Sequence, residues 1–250
     1  MDTHHRKSNQ IRACVFDVYG TLLDFNSAIN KCRHKIGSKS DQLGELWRRK
    51  QLEYSWLRTL MGKHADFDQI TAAALDYSLA TLSIKDKELR SDLLGLFHEL
   101  EPFPEVPKIL RELKSDTLSI VILSNGTPHT LRASLRQARI NLKFDEIYSI
   151  ETVGKFKPHP DVYRIPCDGL GLEPKDIAFI SANSWDIAGA ANFGLKTIWI
   201  NRWGAKNEVL TFMQTYQRIT QNMFKFAPKY SSIVLNLNRN HEIKSIKYNK

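Results

Sequence analysis

Four short apolar runs, each closed by polar or small residues, constrain this chain more than any other feature. They are "ACVF" (13–16), "LSIVIL" (118–123), "IAFI" (177–180) and "TIWI" (197–200). Apolar runs of this length, bounded by turn signals, read as strands covered on both faces, as in a parallel sheet. Between them lie segments with helical spacing, such as Val106, Ile109, Leu110 and Leu113. Strands alternating with helices imply an α/β fold built on a doubly wound parallel sheet. Ligands of such sheets bind beyond the carboxyl ends of the strands. Three of the runs lead directly into polar or reactive residues: Asp17, "SNG" (124–126) and "SANSWD" (181–186). These three ends are expected to converge on one site.

Residues 25–100 break the alternation. "DQLGELWRRKQLEYSWLRTLMG" (41–62) contains no proline, and Leu43, Leu46, Trp47, Leu57, Leu60 and Met61 form an amphipathic face. Two further helical patterns follow, "ITAAALDYSLATL" and "LRSDLLGLFHEL", before three prolines punctuate "EPFPEVP" (101–107). The pattern implies a helical insertion after the first strand. Residues 11–24 and 101–235 then form the core domain, 25–100 a helical cap subdomain, and 236–250 a basic tail.

The formal charge of +9 is concentrated at the two ends of the 250-residue chain. Residues 206–250 hold eight Lys or Arg against two Glu, and residues 1–12 hold three against one Asp. No zinc-finger, homeodomain or RNA-recognition pattern accompanies them, so a solvated tail is expected and no nucleic-acid partner. No apolar run approaches the ~18 residues that a membrane helix needs, and no membrane partner is expected. The polar opening "MDTHHRKSNQ" lacks the apolar stretch of a signal peptide. Cys14, Cys32 and Cys167 are an odd count without C-x-x-C spacing, which argues against a disulfide framework or zinc knuckle. A cytoplasmic protein is expected.

The motifs "FDVYGTLLD", "LWRRKQLEYSWLRTLM", "LSNGTP", "KFKPHPDVY" and "SANSWDIAGAANFG", with "WINR" after them, resemble the haloacid dehalogenase superfamily. Within it they resemble the L-2-haloacid dehalogenases, over roughly residues 11–204. The resemblance implies a Rossmann-like core with a helical cap and hydrolysis of short L-2-haloacids to D-2-hydroxy acids. Phosphatases of the superfamily carry D-x-D-G-T, whose second Asp handles the leaving-group proton, and a carboxylate pair that helps hold magnesium. Here Tyr19 stands for that second acid, and Ser181 stands where phosphatases commonly offer Asp. Losing two carboxylates weakens a Mg²⁺ site severely, so no metal and no cofactor are expected. A magnesium-dependent phosphatase is the alternative. A catalytically silent binding protein that uses its basic tail on nucleic acid or an acidic partner is a third reading.

The resemblance also assigns roles. Asp17 attacks C2 of a 2-haloalkanoate, expels halide, and forms an ester that water cleaves, two easier steps replacing one hard one. Lys157 is expected to keep Asp17 ionised, with Lys155 a nearby competitor, and Asp186 to activate the water. Arg48 and Asn125 receive the halide, and Ser124 meets the substrate carboxylate. Thr21, Ser181 and Asn183 fix the nucleophile. Tyr19, Leu52, Phe67 and Trp185 form the apolar wall, and Tyr163 supports the lysine. Arg49 occupies a place where the family often has glutamine, and helical geometry turns it ~100° from Arg48. Pro166 falls in a segment expected to be helical, where an interior proline costs ~3 kcal/mol. A homodimer is expected from the resemblance alone.

Overall fold

The computed structural model describes residues 11–113, 118–206 and 208–209, and the backbone of 216–220. The chain enters on β1 (Ala13–Phe16), turns through β2 (Leu23–Asp24), and leaves the sheet for five helices. These are α1 (Asn26–Lys31), α2 (Arg33–Ile36), α3 (Ser40–Leu60), α4 (Phe67–Thr81) and α5 (Lys87–Phe97). It returns through β3 (Glu101–Pro102), which pairs antiparallel with β2, so departure and re-entry share one two-stranded ribbon. Then follow α6 (Val106–Leu113), β4 (Ser119–Ser124), α7 (Pro128–Gln137), β5 (Glu146–Ser149) and α8 (Pro160–Leu170). The last described elements are β6 (Ile177–Ser181), α9 (Ser184–Phe193), β7 (Lys196–Asn201) and β8 (Tyr216–Thr220).

The six-stranded parallel sheet has the order β5-β4-β1-β6-β7-β8. All four apolar runs of the sequence are strands in it. β1 lies between β4 and β6, with Phe16 opposite Ile122 on one side and Ile180 on the other. The sheet reverses its winding at β1, and such a switch point opens a crevice at the carboxyl ends. Asp17 leaves the sheet there.

The inserted helices differ from expectation in one respect. Leu43, Leu46 and Trp47 are buried, whereas Leu57, Leu60 and Met61 at the far end of α3 are 43%, 83% and 62% exposed. Pro166 is accommodated inside α8, where Val162, Tyr163, Pro166 and Cys167 form one buried stripe. Packing of that face holds the helix together across the missing N–H.

Phe97, at the end of α5, joins the helical insertion to the sheet. Its ring lies 5.1 Å from Tyr19, 5.8 Å from Phe25, 6.0 Å from Trp47 and 6.3 Å from Phe67. Tyr19 belongs to the loop after β1 and the other three surround the inserted helices, so one side chain serves both layers. Truncation of a large buried ring costs its transfer free energy plus a cavity term. Phe97→Ala is expected to lower stability by about 3–5 kcal/mol in urea denaturation. A loss below ~1 kcal/mol would contradict this joint.

Candidate active site

Asp17 follows the last residue of β1 and is only 5% exposed. Its two oxygens are held unequally. Oδ2 accepts from Thr21 Oγ1 at 2.7 Å, Asn183 Nδ2 at 2.8 Å and Ser181 Oγ at 3.4 Å. Among the described residues, Oδ1 accepts only from Lys157 Nζ, at 3.1 Å. Thr21 reaches Asp17 because Leu22 and Leu23 fold back by donating to the Val18 carbonyl, a turn in which Gly20 adopts φ +85°. The Thr21 hydroxyl also accepts from the Ala182 N–H at 2.8 Å, tying the β1 loop to the β6 loop.

Lys157 is fully buried and bridges two carboxylates, donating also to Asp186 Oδ2 at 3.0 Å. Burial pushes its pKa down, but Asp17 and Asp186 together outweigh burial and leave it raised. The ammonium also lies 4.9 Å from the Phe179 ring centroid. Lys155, the alternative cation, instead pairs with Asp161 at 2.6 Å, away from Asp17.

Asp186 stands in the first turn of α9, whose cap position is taken by Asn183. Its Oδ1 accepts from Tyr163 Oη at 2.8 Å. Burial raises the Asp186 carboxyl to about 6 although Lys157 pulls it down. Because the folded value exceeds the unfolded one, protonation of this group favours folding. That contribution is complete below the unfolded value near ~4 and is lost as pH rises through about 6. Tyr163 itself is pushed well above its ordinary value, first by burial and then by the Asp186 charge.

Arg48 approaches from α3. It donates to Gln51 Oε1 at 2.7 Å, and its contacts to Tyr19 O and Asn183 Oδ1 are long, at 3.4 Å each. Gln51 is locked in turn by donating to Thr71 Oγ1 at 2.6 Å. Burial lowers the Arg48 pKa against the opposing pull of Asp17. From the end of β4, Asn125 Oδ1 accepts from the Lys157 N–H at 3.1 Å, and Ser124 Oγ accepts from the Gly126 N–H.

The three strand ends therefore meet, and α3 of the inserted helices brings Arg48 to them. The expected apolar residues divide into separate groups. Tyr19 and Phe67 pack 5.4 Å apart, Leu52 lines an open cleft beside Arg48, and Trp185 packs edge-on against Trp56. Among the described residues no cluster of three or more His, Cys, Asp or Glu side chains is gathered as a cation site would need.

Comparison with known proteins accords with this geometry. The haloacid dehalogenase-like hydrolase family matches residues 11–194. The chain belongs to that family. It is 43% identical over 208 residues to (S)-2-haloacid dehalogenase 1 of Pseudomonas sp. (strain CBS-3), covering 83% of this chain and 92% of that one. A crystal structure of a dehalogenase is 38% identical with a TM-score of 0.83, over 92% of this chain and 98% of that one. The L-2-haloacid dehalogenase of Xanthobacter autotrophicus, solved with chloropropionic acid covalently bound, is 38% identical with a TM-score of 0.73. That match covers 78% of this chain and 79% of the other.

Two site neighbours, Gln51 and Arg202, are not assigned a role from the sequence motifs, and Trp56, which the helical spacing places on the Arg48 face, makes an unanticipated contact. Gln51 orients Arg48 from the i+3 position, a spacing open to inspection. Trp56 Nε1 donates to the Lys157 carbonyl at 3.2 Å. Arg202, in "WINR", donates to the Thr21 carbonyl at 2.7 Å, pairs with Glu105, and lies 3.7 Å from the Phe103 ring centroid. It fixes the turn that carries Thr21.

Gly189 faces this cluster from α9. A Cβ there would lie 2.5 Å from Tyr163 Oη and 2.5 Å from Pro158 Cβ, closer than packed atoms allow. Gly189→Ala is therefore expected to dislodge Tyr163 from Asp186 and cost about 1–3 kcal/mol. An unchanged urea midpoint would contradict that packing.

Proposed function

We propose that this hydrolase cleaves the carbon–halogen bond of short L-2-haloacids and yields D-2-hydroxy acids through an ester on Asp17. The unequal holding of the Asp17 oxygens carries the reading. Oδ1 has one donor and keeps lone pairs for attack on C2. The C2–halogen bond breaks as the Oδ1–C2 bond forms, and its electron pair leaves with the halide. Arg48 and Asn125 receive that charge. Asn125 Nδ2 has no partner among the described residues, and two of the Arg48 contacts are long enough to give way.

In the resulting ester, Oδ2 is the carbonyl oxygen. Water attacks the Asp17 carbonyl carbon and places negative charge on Oδ2, where Thr21, Asn183 and Ser181 already aim their donors. Donors set before the charge develops favour the transition state over the ground state. Asp186 takes one proton of that water, and the acyl–oxygen bond breaks. The departing Oδ1 takes up a proton to become the hydroxyl of the hydroxy acid, and Asp17 is left as a carboxylate once the water's other proton is released. One water is consumed, and one proton and one halide are released. Ser124, at the end of β4, donates to the substrate carboxylate, helped by nearby backbone N–H groups.

The alternative phosphatase chemistry is disfavoured by the donor set. The two carboxylates nearest the reacting centre are already bridged by a fixed ammonium, at 3.1 and 3.0 Å. Tyr19 and Ser181 stand where a magnesium site would need further carboxylates. Relatives named (S)-2-haloacid dehalogenase at 38–43% identity support the same choice.

Residues 25–100 serve as the cap in this reading. The exposed Leu57, Leu60, Met61 and Tyr77 support a homodimer joined through it. No helix among the described residues is long and apolar enough to cross a membrane. The three cysteines are unpaired, which suits a reducing cytoplasm. The basic tail, 236–250, lies outside the described residues.

Backside attack inverts C2 once, and hydrolysis at the Asp17 carbonyl leaves C2 untouched. L-2-chloropropionate is therefore expected to give D-lactate on chiral analysis, with the same rate in chelator. Mainly L-lactate would contradict the mechanism. Activity lost to chelation, with phosphate released from phosphomonoesters, would favour the alternative.

A further inference from the structure

An open cleft of about 720 Å³ lies between the inserted helices and the sheet ends. Gly20, Asn183 and Trp203 form its core-side wall. Asp41, Glu45, Arg48, Arg49 and Leu52 line it from α3. The cleft adjoins the reacting centre: Asn183 on its wall donates to Asp17 at 2.8 Å, and Arg48 borders it from α3. Its volume is within the range of small-ligand pockets, well beyond what a three-carbon acid fills.

Arg49 is turned ~100° from Arg48 around α3, yet it borders the same cleft. The cleft is wide enough for both side chains to border it. Charges along the wall are disposed unequally. Arg33 is neutralised by Asp41 at 2.5 Å, and Asp24 accepts from the Asn26 N–H at 2.9 Å. Arg48 is held by Gln51 and turned toward Tyr19 and Asn183. Arg49 is exposed and has no hydrogen bond or ion pair among the described residues. Glu45, one helical turn before it, also borders the cleft and is not paired with it.

We infer that Arg49 is an anion-capture residue at the cleft mouth, drawing small monocarboxylates from solvent toward Arg48 without joining the reacting complex. The inference rests on the haloacid reading for the identity of its anion. A cation in a cleft with low-dielectric walls raises the local concentration of anions. The effect depends on screening, whose length falls from ~30 Å at 0.01 M to ~3 Å at 1 M salt. Glu45 opposes it, so the two residues have opposite signs of influence.

Calorimetric binding of isobutyrate, an unreactive isostere of 2-chloropropionate, tests this on the full chain. At 10 mM ionic strength, Arg49→Gln is expected to weaken binding roughly 2- to 5-fold, and Glu45→Gln to tighten it by a similar factor. Both differences should vanish at 1 M salt. In turnover of L-2-chloropropionate, kcat/KM of Arg49→Gln should fall by the same factor with kcat unchanged. Wild-type affinity in Arg49→Gln at low salt would overturn the inference. So would a loss that persists at 1 M, no isobutyrate binding to the wild-type chain, or an equal fall in kcat and kcat/KM. A wild-type chain that binds isobutyrate yet releases no halide would sink the hydrolysis reading, leaving the salt-dependent binding comparison to judge Arg49.

Discussion

The buried ammonium of Lys157, set between Asp17 and Asp186, is the constraint on which the rest of the site depends. Both carboxylates and the cation lie away from water, with Lys157 and Asp186 wholly buried. Desolvating three charges is expensive, and their attraction offsets it only where geometry and additional hydrogen bonds are good. The surrounding residues supply those bonds. Thr21, Asn183 and Ser181 serve one side, and Tyr163 serves the other. These donors come from the β1 loop, the end of β6 and α8, so the electrostatic requirement also fixes how the strand ends sit together. Removal of one member of such a buried set typically costs about 3–5 kcal/mol, since an uncompensated charge remains.

The same arrangement divides the chemistry. One oxygen of Asp17 is committed to fixed donors and the other is left comparatively free, so a single carboxylate provides both nucleophile and future oxyanion. The inserted helices add what the sheet lacks. They bring a guanidinium over the strand ends and close the site with rings grouped around Phe97. Tyr19 belongs to this aromatic group, where phosphoryl-transfer members of the superfamily would place an acid. Its phenol is pushed upward chiefly by burial, so it is neutral and acts by packing.

Much of the fold is legible in the amino-acid sequence. The four apolar runs stand out because strands covered on both faces carry no alternation to obscure them. β5 does not, since it is an edge strand with Glu146 exposed and Ile147 and Tyr148 half-buried. The motif residues at the strand ends are readable because a parallel sheet turns chain position into spatial position. Side-chain partnerships are not. Periodicity places Leu57, Leu60 and Met61 on one stripe with Leu43, but it carries no information about where the neighbouring helix stops. A rotation of ~100° separates Arg48 from Arg49 on any helix, yet the width of a cleft is a tertiary quantity. Arg202 lies in the "WINR" motif without an evident role, because its target is a backbone carbonyl 181 residues away.

In the proposed mechanism Asp17 becomes covalently bound to substrate carbon, and water then attacks the Asp17 carbonyl. The direct test is a single turnover in H₂¹⁸O, with enzyme in excess over L-2-chloropropionate, followed by mass analysis of lactate and of the peptide containing Asp17. The mechanism requires lactate free of label and one ¹⁸O gained at Asp17. Label in the first lactate, with Asp17 unlabelled, would mean that water attacks carbon directly and that no ester forms.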